Sequence, residues 1–383
     1  MKILIVLILL GALVAVLNAE GPATRRVTFR IVPAEQPAAN ERIFIAGNVL
    51  ALGQWKADGF ALSADSNGTW TGTVDLPANE TVEFKVTKGS WETERSLADG
   101  SIPPNEMLPP GGDTEVEVRA AGWKQPGPPP APRITGDYRI HDAVHSEFLA
   151  LDRKVIVWLP PSYATDTERR YPVLYMHDGQ QIFDPQTSTH GRDWEVDEWC
   201  TKLISDGKLQ EIIVVGAYCT ANRFEEYNPA VKGKDYARFL IEELKPMIDR
   251  EYRTLPGRET TAVAGSSMGG KISFYLAWAH PDVYFGAACL SPAFAYKDDR
   301  HELDVVEAST NTPDLRLYFY CGEGDDLERK LIPGMRTMAD LLKQRGYEEG
   351  RNLLVAEDAP AVHNEAAWQK VTGQWLEFLF GKK

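Results

Sequence analysis

Thr260-Thr261-Ala262-Val263-Ala264-Gly265-Ser266-Ser267-Met268-Gly269 runs from an apolar, β-branched segment straight into a Gly-x-Ser-x-Gly pentapeptide. The next segment, Lys271-Ile272-Ser273-Phe274-Tyr275-Leu276-Ala277-Trp278-Ala279-His280, has amphipathic helical spacing and stops at Pro281. Strand, sharp turn and helix in that order would stand a serine above a sheet with its hydroxyl exposed, while glycines at 265 and 269 let strand and helix approach. Ser267 is thus the candidate nucleophile. The fold expected around it is an α/β hydrolase, a mostly parallel sheet flanked by helices. A pentapeptide this short also arises by chance in a chain with 31 glycines, so its partners decide the matter.

A hydroxyl near neutral pH is a poor nucleophile; an imidazole must take its proton, and an acid must hold the imidazole in the right tautomer. In α/β hydrolases the chain order is serine, acid, histidine. Leu315-Arg316-Leu317-Tyr318-Phe319-Tyr320 is an alternating strand, and the glycine-broken loop Cys321-Gly322-Glu323-Gly324-Asp325-Asp326 follows its carboxyl end. Asp325 is the expected acid, with Asp326 and Glu323 as alternates; standing alone, the loop would read as a solvated acidic turn. A further strand, Asn352-Leu353-Leu354-Val355-Ala356, leads to a loop carrying His363-Asn364-Glu365 ahead of an amphipathic terminal helix, which makes His363 the expected base.

Acyl transfer also needs two fixed backbone N–H donors for the oxyanion. One is expected from Met268, after the nucleophile. The other is expected from Gly179 or Asp178, in the turn His177-Asp178-Gly179-Gln180 that ends the strand Val173-Leu174-Tyr175-Met176. His177 itself reads as a structural histidine that holds this turn.

With these segments placed, residues 133–383 resemble the esterase D or enterochelin esterase-like group of serine α/β hydrolases, which includes carbohydrate esterase family 1. The resemblance is carried by Val173 to Gln180 with Phe183-Asp184, by Asn222-Arg223 and Glu226-Tyr227, by Leu244 to Asp249 with Tyr252-Arg253-Thr254, by Gly265 to Gly270, and by His363 to Trp368. It implies a triad of Ser267, Asp325 and His363 and feruloyl, acetyl, siderophore or related ester substrates. One departure is local: such families more often show a threonine and asparagine before the acid, and the adjacent pair here leaves Asp325 against Asp326 open.

At 383 residues and 43% hydrophobic content the chain exceeds one ordinary domain and has ample core for two. Met1-Lys2, the apolar run Ile3 to Leu17 and Asn18-Ala19 read as a signal peptide over residues 1–19, too short for a membrane span, so the mature chain is expected to be secreted or periplasmic with no membrane association. Cys200, Cys219, Cys289 and Cys321 read as free thiols at core positions rather than a disulfide framework. No Cys-x-x-Cys or His-Glu-x-x-His spacing occurs, so neither a metal nor another cofactor is expected. A net charge of -14 argues against nucleic acid or anionic lipid as partner, because nothing would neutralise phosphates.

Residues 120–132 contain Gly-Trp-Lys-Gln-Pro-Gly-Pro-Pro-Pro-Ala-Pro from Gly122 to Pro132 and read as an extended, semi-rigid spacer. Upstream, residues 25–119 alternate in short runs at 27–32, 42–47, 69–76, 82–87 and 115–119, separated by turn residues, as in a small all-β sandwich. This unit resembles the starch-binding domain of carbohydrate-binding module family 20. The carriers are Ile45-Ala46-Gly47-Asn48, Leu52-Gly53-Gln54-Trp55, Gly68-Thr69-Trp70, Glu83-Phe84-Lys85-Val86 and Trp91-Glu92. By that resemblance Trp55, Lys85 and Trp91 match a sugar platform, in which aromatic faces stack on a pyranose and an amine meets its hydroxyls. Trp70, ahead of a regular strand, reads as core.

The combined expectation is a secreted serine esterase acting on carbohydrate-linked or aryl esters and held to a polysaccharide by its sandwich unit. Siderophore or thioester hydrolysis on the same residues is the nearest alternative. A non-catalytic carbohydrate-binding protein on a retained hydrolase scaffold is the alternative from another class.

Overall fold

The computed structural model describes residues 23–124 and 133–382, apart from 39, 99 and 190. The expected signal segment at 1–19 and the proline-rich part of the spacer at 125–132 lie outside the described residues. The chain divides into two compact units between residues 129 and 130.

In the first unit, Thr24–Pro33 alternates strictly enough to bury Val27, Phe29 and Ile31 on one face. It pairs antiparallel with Trp70–Pro77 and parallel with Thr114–Ala120. A second four-stranded sheet orders Phe60–Ala61, Phe44–Gly47, Val82–Thr87 and Glu106–Leu108. One apolar core joins the inner faces, with Phe29 edge-on to Phe84 at 5.0 Å between ring centres and Ile45, Val86 and Leu76 around them. Trp70 is half-buried and packs against this core.

The spacer begins later than residue 120. Gly122–Trp123 pairs antiparallel with Arg95–Ser96, the Trp123 indole N–H donates to the Glu35 carbonyl at 3.2 Å, and Lys124 N–H donates to the Glu94 carbonyl at 2.7 Å. Composition marked the segment as linker, but a tryptophan buried in the sandwich core ties its first residues to the domain.

The second unit is built on an eight-stranded sheet. Its strands are β1 (Asp137–Val144), β2 (Arg153–Leu159), β3 (Val173–His177), β4 (Ile213–Ala217), β5 (Thr261–Ser266), β6 (Gly286–Leu290), β7 (Arg316–Gly322) and β8 (Leu353–Asp358). The order is β1-β2-β4-β3-β5-β6-β7-β8. β1, β2 and β4 pair antiparallel, and every pairing from β4 through β8 is parallel. Parallel strands are covered on both faces, so β3 to β6 are buried at every residue. Val173 and Tyr175 enter one core while Leu174 and Met176 enter the other, as the two-residue period requires. Helices α1 (Met268–Ala279) and α2 (Asp326–Gln344) pack into the first core, and α3 (Glu365–Phe380) packs into the second. The arrangement is consistent with an α/β hydrolase.

The helix after the pentapeptide differs from its amphipathic reading. α1 is buried on nearly all sides, because it lies on β5 and β6 and is covered in part by the helix His301–Ala308. Its one charged side chain, Lys271, is buried against Asp299 at 2.6 Å and Glu302 at 3.1 Å.

Candidate active site

Among the loops that leave the carboxyl edge of the parallel strands, those after β3, β5, β7 and β8 carry the residues expected at the site. Between β5 and α1, Ser267 is the sole turn residue and takes φ 58°, ψ -121°, a backbone state that costs a non-glycine residue of order 1–3 kcal/mol. The turn is this tight because a Cβ on Gly265 would lie 2.8 Å from the Gly269 carbonyl group, so the two glycines permit the strand–helix contact expected of them. Ser267 N–H donates to the Leu290 carbonyl at 2.8 Å, which anchors the turn to the end of β6. Ser267 is only half-buried.

His363 stands in the loop after β8. Its Nδ1 lies 2.7 Å from Glu328 Oε1, and Glu328 is almost fully buried in the first turn of α2. The other Glu328 oxygen accepts from Gly322 N–H at 2.7 Å and from the Cys321 thiol at 2.9 Å. Burial alone would raise this carboxyl, but the hydrogen bond and charge of His363, with the Cys321 thiol and Ser291 hydroxyl, outweigh it and hold Glu328 below the ordinary glutamate range. A carboxylate on Nδ1 keeps the proton there and leaves Nε2 as the acceptor. Trp368 braces the imidazole edge-on at 5.1 Å between ring centres, and its indole N–H donates to Ser291 Oγ at 2.9 Å. Ser291 directly follows Leu290, so one stretch of chain supports both the serine turn and the imidazole.

Asp325, the acid expected from sequence, is engaged otherwise, and this is a correction. Its Oδ1 accepts from Glu328 N–H at 2.8 Å as the N-cap of α2, and its Oδ2 accepts from the backbone N–H of His363 at 2.7 Å. Asp325 therefore holds the histidine loop by its main chain rather than the imidazole. Asp326 pairs with Arg329, and Glu323 with Arg336. The overlooked signal was Asp-x-x-Glu at 325–328, a helix N-terminus signature that commits the aspartate to capping and places the glutamate one turn in.

At the end of β3, Asp178 adopts φ 56°, ψ 48°. Its N–H donates to Tyr227 Oη at 3.2 Å, which leaves Gly179 as the better candidate donor of the two considered. Met268 opens α1, where a first-turn N–H has no partner within its helix. His177 is buried, with Nδ1 3.0 Å from Tyr236 Oη, and burial pushes it down to about 3, so it stays neutral as the structural residue it was read to be. Cys200, Cys289 and Cys321 are buried, Cys219 is half-buried, and all four are free.

Asp193, Asp197 and Glu198 converge at the start of the helix Val196–Ser205, a cluster the sequence reading did not single out. Burial, with the Glu198 carboxyl alongside, raises Asp197 well above the usual carboxylate range, so the pair carries a proton at neutral pH.

In the sandwich, Trp55 is half-buried in a left-handed turn, its N–H bonded to the Gly47 carbonyl at 2.8 Å, and Trp91 is half-buried at the start of the single turn Trp91–Thr93. Lys85 differs from expectation. Its amine is buried in an ion pair with Glu94 and also donates to the Pro103 carbonyl at 3.3 Å, so it serves the fold and does not face a ligand.

The comparisons agree with these two units. Residues 146–372, more than half of the chain, match the esterase family model, and residues 24–98 match the starch binding domain model. An endo-1,4-beta-xylanase/feruloyl esterase of Xylanibacter ruminicola is 25% identical over 378 residues, which cover 95% of this chain and 45% of that protein. A solved ferulic acid esterase superposes with a TM-score of 0.51 at 22% identity, over 64% of this chain and 98% of its own. The ferric enterobactin esterase of Salmonella typhimurium superposes with a TM-score of 0.52 at 15% identity, over 93% of each chain. This chain belongs to the esterase family, as a carboxylic ester hydrolase that carries a starch binding domain in its amino-terminal unit.

Proposed function

We propose that the protein is a secreted serine hydrolase of carbohydrate-linked or aryl carboxylic esters, of feruloyl or acetyl type, with Ser267 as nucleophile, His363 as base and Glu328 as the acid that orients it. The observation that carries the reading is the serine turn at φ 58° at the same carboxyl edge of the sheet as an imidazole whose Nδ1 is held at 2.7 Å by a buried carboxylate. Ser267 Oγ attacks the ester carbonyl while its proton passes to His363 Nε2. The backbone N–H groups of Met268 and Gly179 receive the oxyanion. Collapse breaks the carbon–oxygen bond to the alcohol, which leaves with the proton from His363. Water, deprotonated by the same nitrogen, then releases the acid and restores Ser267.

The sandwich unit would hold the enzyme on a polysaccharide, with α-glucan favoured by the starch binding domain match and Trp55 and Trp91 as the stacking faces. Export is supported by the apolar run Ile3 to Leu17 and implies a mature chain that starts at Glu20, which amino-terminal sequencing of secreted protein would read directly. The esterase reading is tested on p-nitrophenyl acyl, methyl hydroxycinnamate and catecholate esters. Wild type should turn over the first two classes and Ser267→Ala should lose at least about 10³-fold in kcat. Wild-type turnover by Ser267→Ala would end the serine mechanism, and preference for catecholate esters would move the substrate to a siderophore.

A further inference from the structure

Resting on the serine esterase reading, we propose that Arg223 is a positioning residue that sets the oxyanion hole by clamping Asp178. The direction of the Gly179 N–H is determined by ψ of Asp178, since the two share one peptide plane. Asp178 occupies the left-handed region, which aspartate tolerates better than most L residues but still less readily than glycine, so its side-chain partners bear on how firmly that state is held. Those partners are visible. Arg223 Nε and one terminal nitrogen donate to the two Asp178 oxygens, each at 2.7 Å, in a parallel fork. Tyr227 Oη accepts from Asp178 N–H, and the Arg223 guanidinium lies over the Tyr227 ring at 5.0 Å. Burial alone would raise the Asp178 carboxyl, and the Arg223 charge outweighs it and keeps the group ionised.

The same carboxylate meets the nucleophile turn. A Cβ on Gly269 would lie 3.3 Å from Asp178 Oδ2 and 3.4 Å from His177 Cβ, so the backbone next to Met268 rests against the clamped residue. A Cβ on Gly179 would lie 2.5 Å from the Gly216 carbonyl oxygen, which closes the other side. The two candidate donors, Met268 N–H and Gly179 N–H, thus belong to residues adjacent to two closely approaching neighbours, Gly269 and Asp178, with little room for a side chain between them. Their separation is set through Asp178, and Arg223 fixes Asp178. A lysine could restore charge there but not the planar two-point contact.

The test compares wild type with Arg223→Gln, Arg223→Lys and Asp178→Asn on p-nitrophenyl acetate, and against a trifluoromethyl ketone, whose serine adduct places an oxyanion in the hole. Loss of the clamp should lower kcat about 10²-fold with KM within about twofold, and weaken the ketone in parallel with kcat/KM. Arg223→Lys should stay impaired. Asp178→Asn, which keeps size and one acceptor, should fall between and serves if the arginine variants do not fold. Wild-type kcat and ketone affinity in folded Arg223→Gln, full recovery in Arg223→Lys, or a rise in KM at constant kcat would each overturn the clamp. Ser267→Ala in the same assay separates the two ideas: wild-type turnover there overturns the serine reading itself, whatever Arg223 does.

Discussion

At Glu328 and Asp325 two carboxylates three residues apart do different work, and the difference is measurable. Glu328 touches the imidazole and Asp325 touches only main-chain N–H groups. Glu328→Gln should therefore lower kcat by about 10²- to 10⁴-fold with little change in melting temperature, as loss of an orienting acid does in a serine triad. Asp325→Ala should chiefly lower stability, by about 1 kcal/mol for the lost cap, with a smaller loss of activity through the slackened His363 loop. Kinetics and thermal melts of both variants check this, and the reverse pattern would return the role to Asp325. Lys85 offers a parallel case. Its partner Glu94 is equally buried, so Lys85→Met should destabilise the sandwich by about 3–5 kcal/mol, which a melt of the whole protein would register.

Elements carry the pH dependence of stability. His177 at the end of β3 has a folded value of about 3 against about 6.5 when unfolded, so its contribution is intact above about 6.5 and is lost as the pH falls toward 3, at about 1.4 kcal/mol per pH unit. Asp197, at the head of the helix Val196–Ser205, is shifted the other way. Its protonated form stabilises the fold, so that contribution is present below about 4 and declines as the pH rises toward its raised folded value. His177→Gln should flatten the acid limb of a melting temperature profile, and Asp197→Asn the alkaline limb. Asparagine retains an acceptor for Thr135 N–H, which bonds Asp197 at 2.6 Å. A profile unchanged in either variant would remove that group as the cause.

For the whole molecule, an appended binding unit raises the local concentration of substrate without adding a contact at the reacting centre. Trp55→Ala combined with Trp91→Ala should abolish retention on insoluble starch and leave turnover of soluble p-nitrophenyl acetate within about twofold. A depletion assay alongside solution kinetics measures both, and undiminished retention would place the sugar contacts elsewhere on the sandwich.

The sequence by itself determined two units, the sandwich alternation, the strand-turn-helix around Ser267, the loop of His363 and the strand that leads into the turn at His177 to Gly179, because period, turn residues and glycine spacing are local properties. Which carboxylate meets His363 was decided by tertiary structure. That choice depends on where the first turn of α2 points once β7 and β8 are neighbours, and a three-residue offset is enough to send Asp325 to the backbone and Glu328 to the imidazole. The same holds for Lys85, whose partner lies across a turn in Glu94, for α1, whose burial comes from neighbours distant in sequence, and for Trp123, which joins a core that composition had assigned to linker. In each case the deciding contact joins residues that only the folded chain brings together.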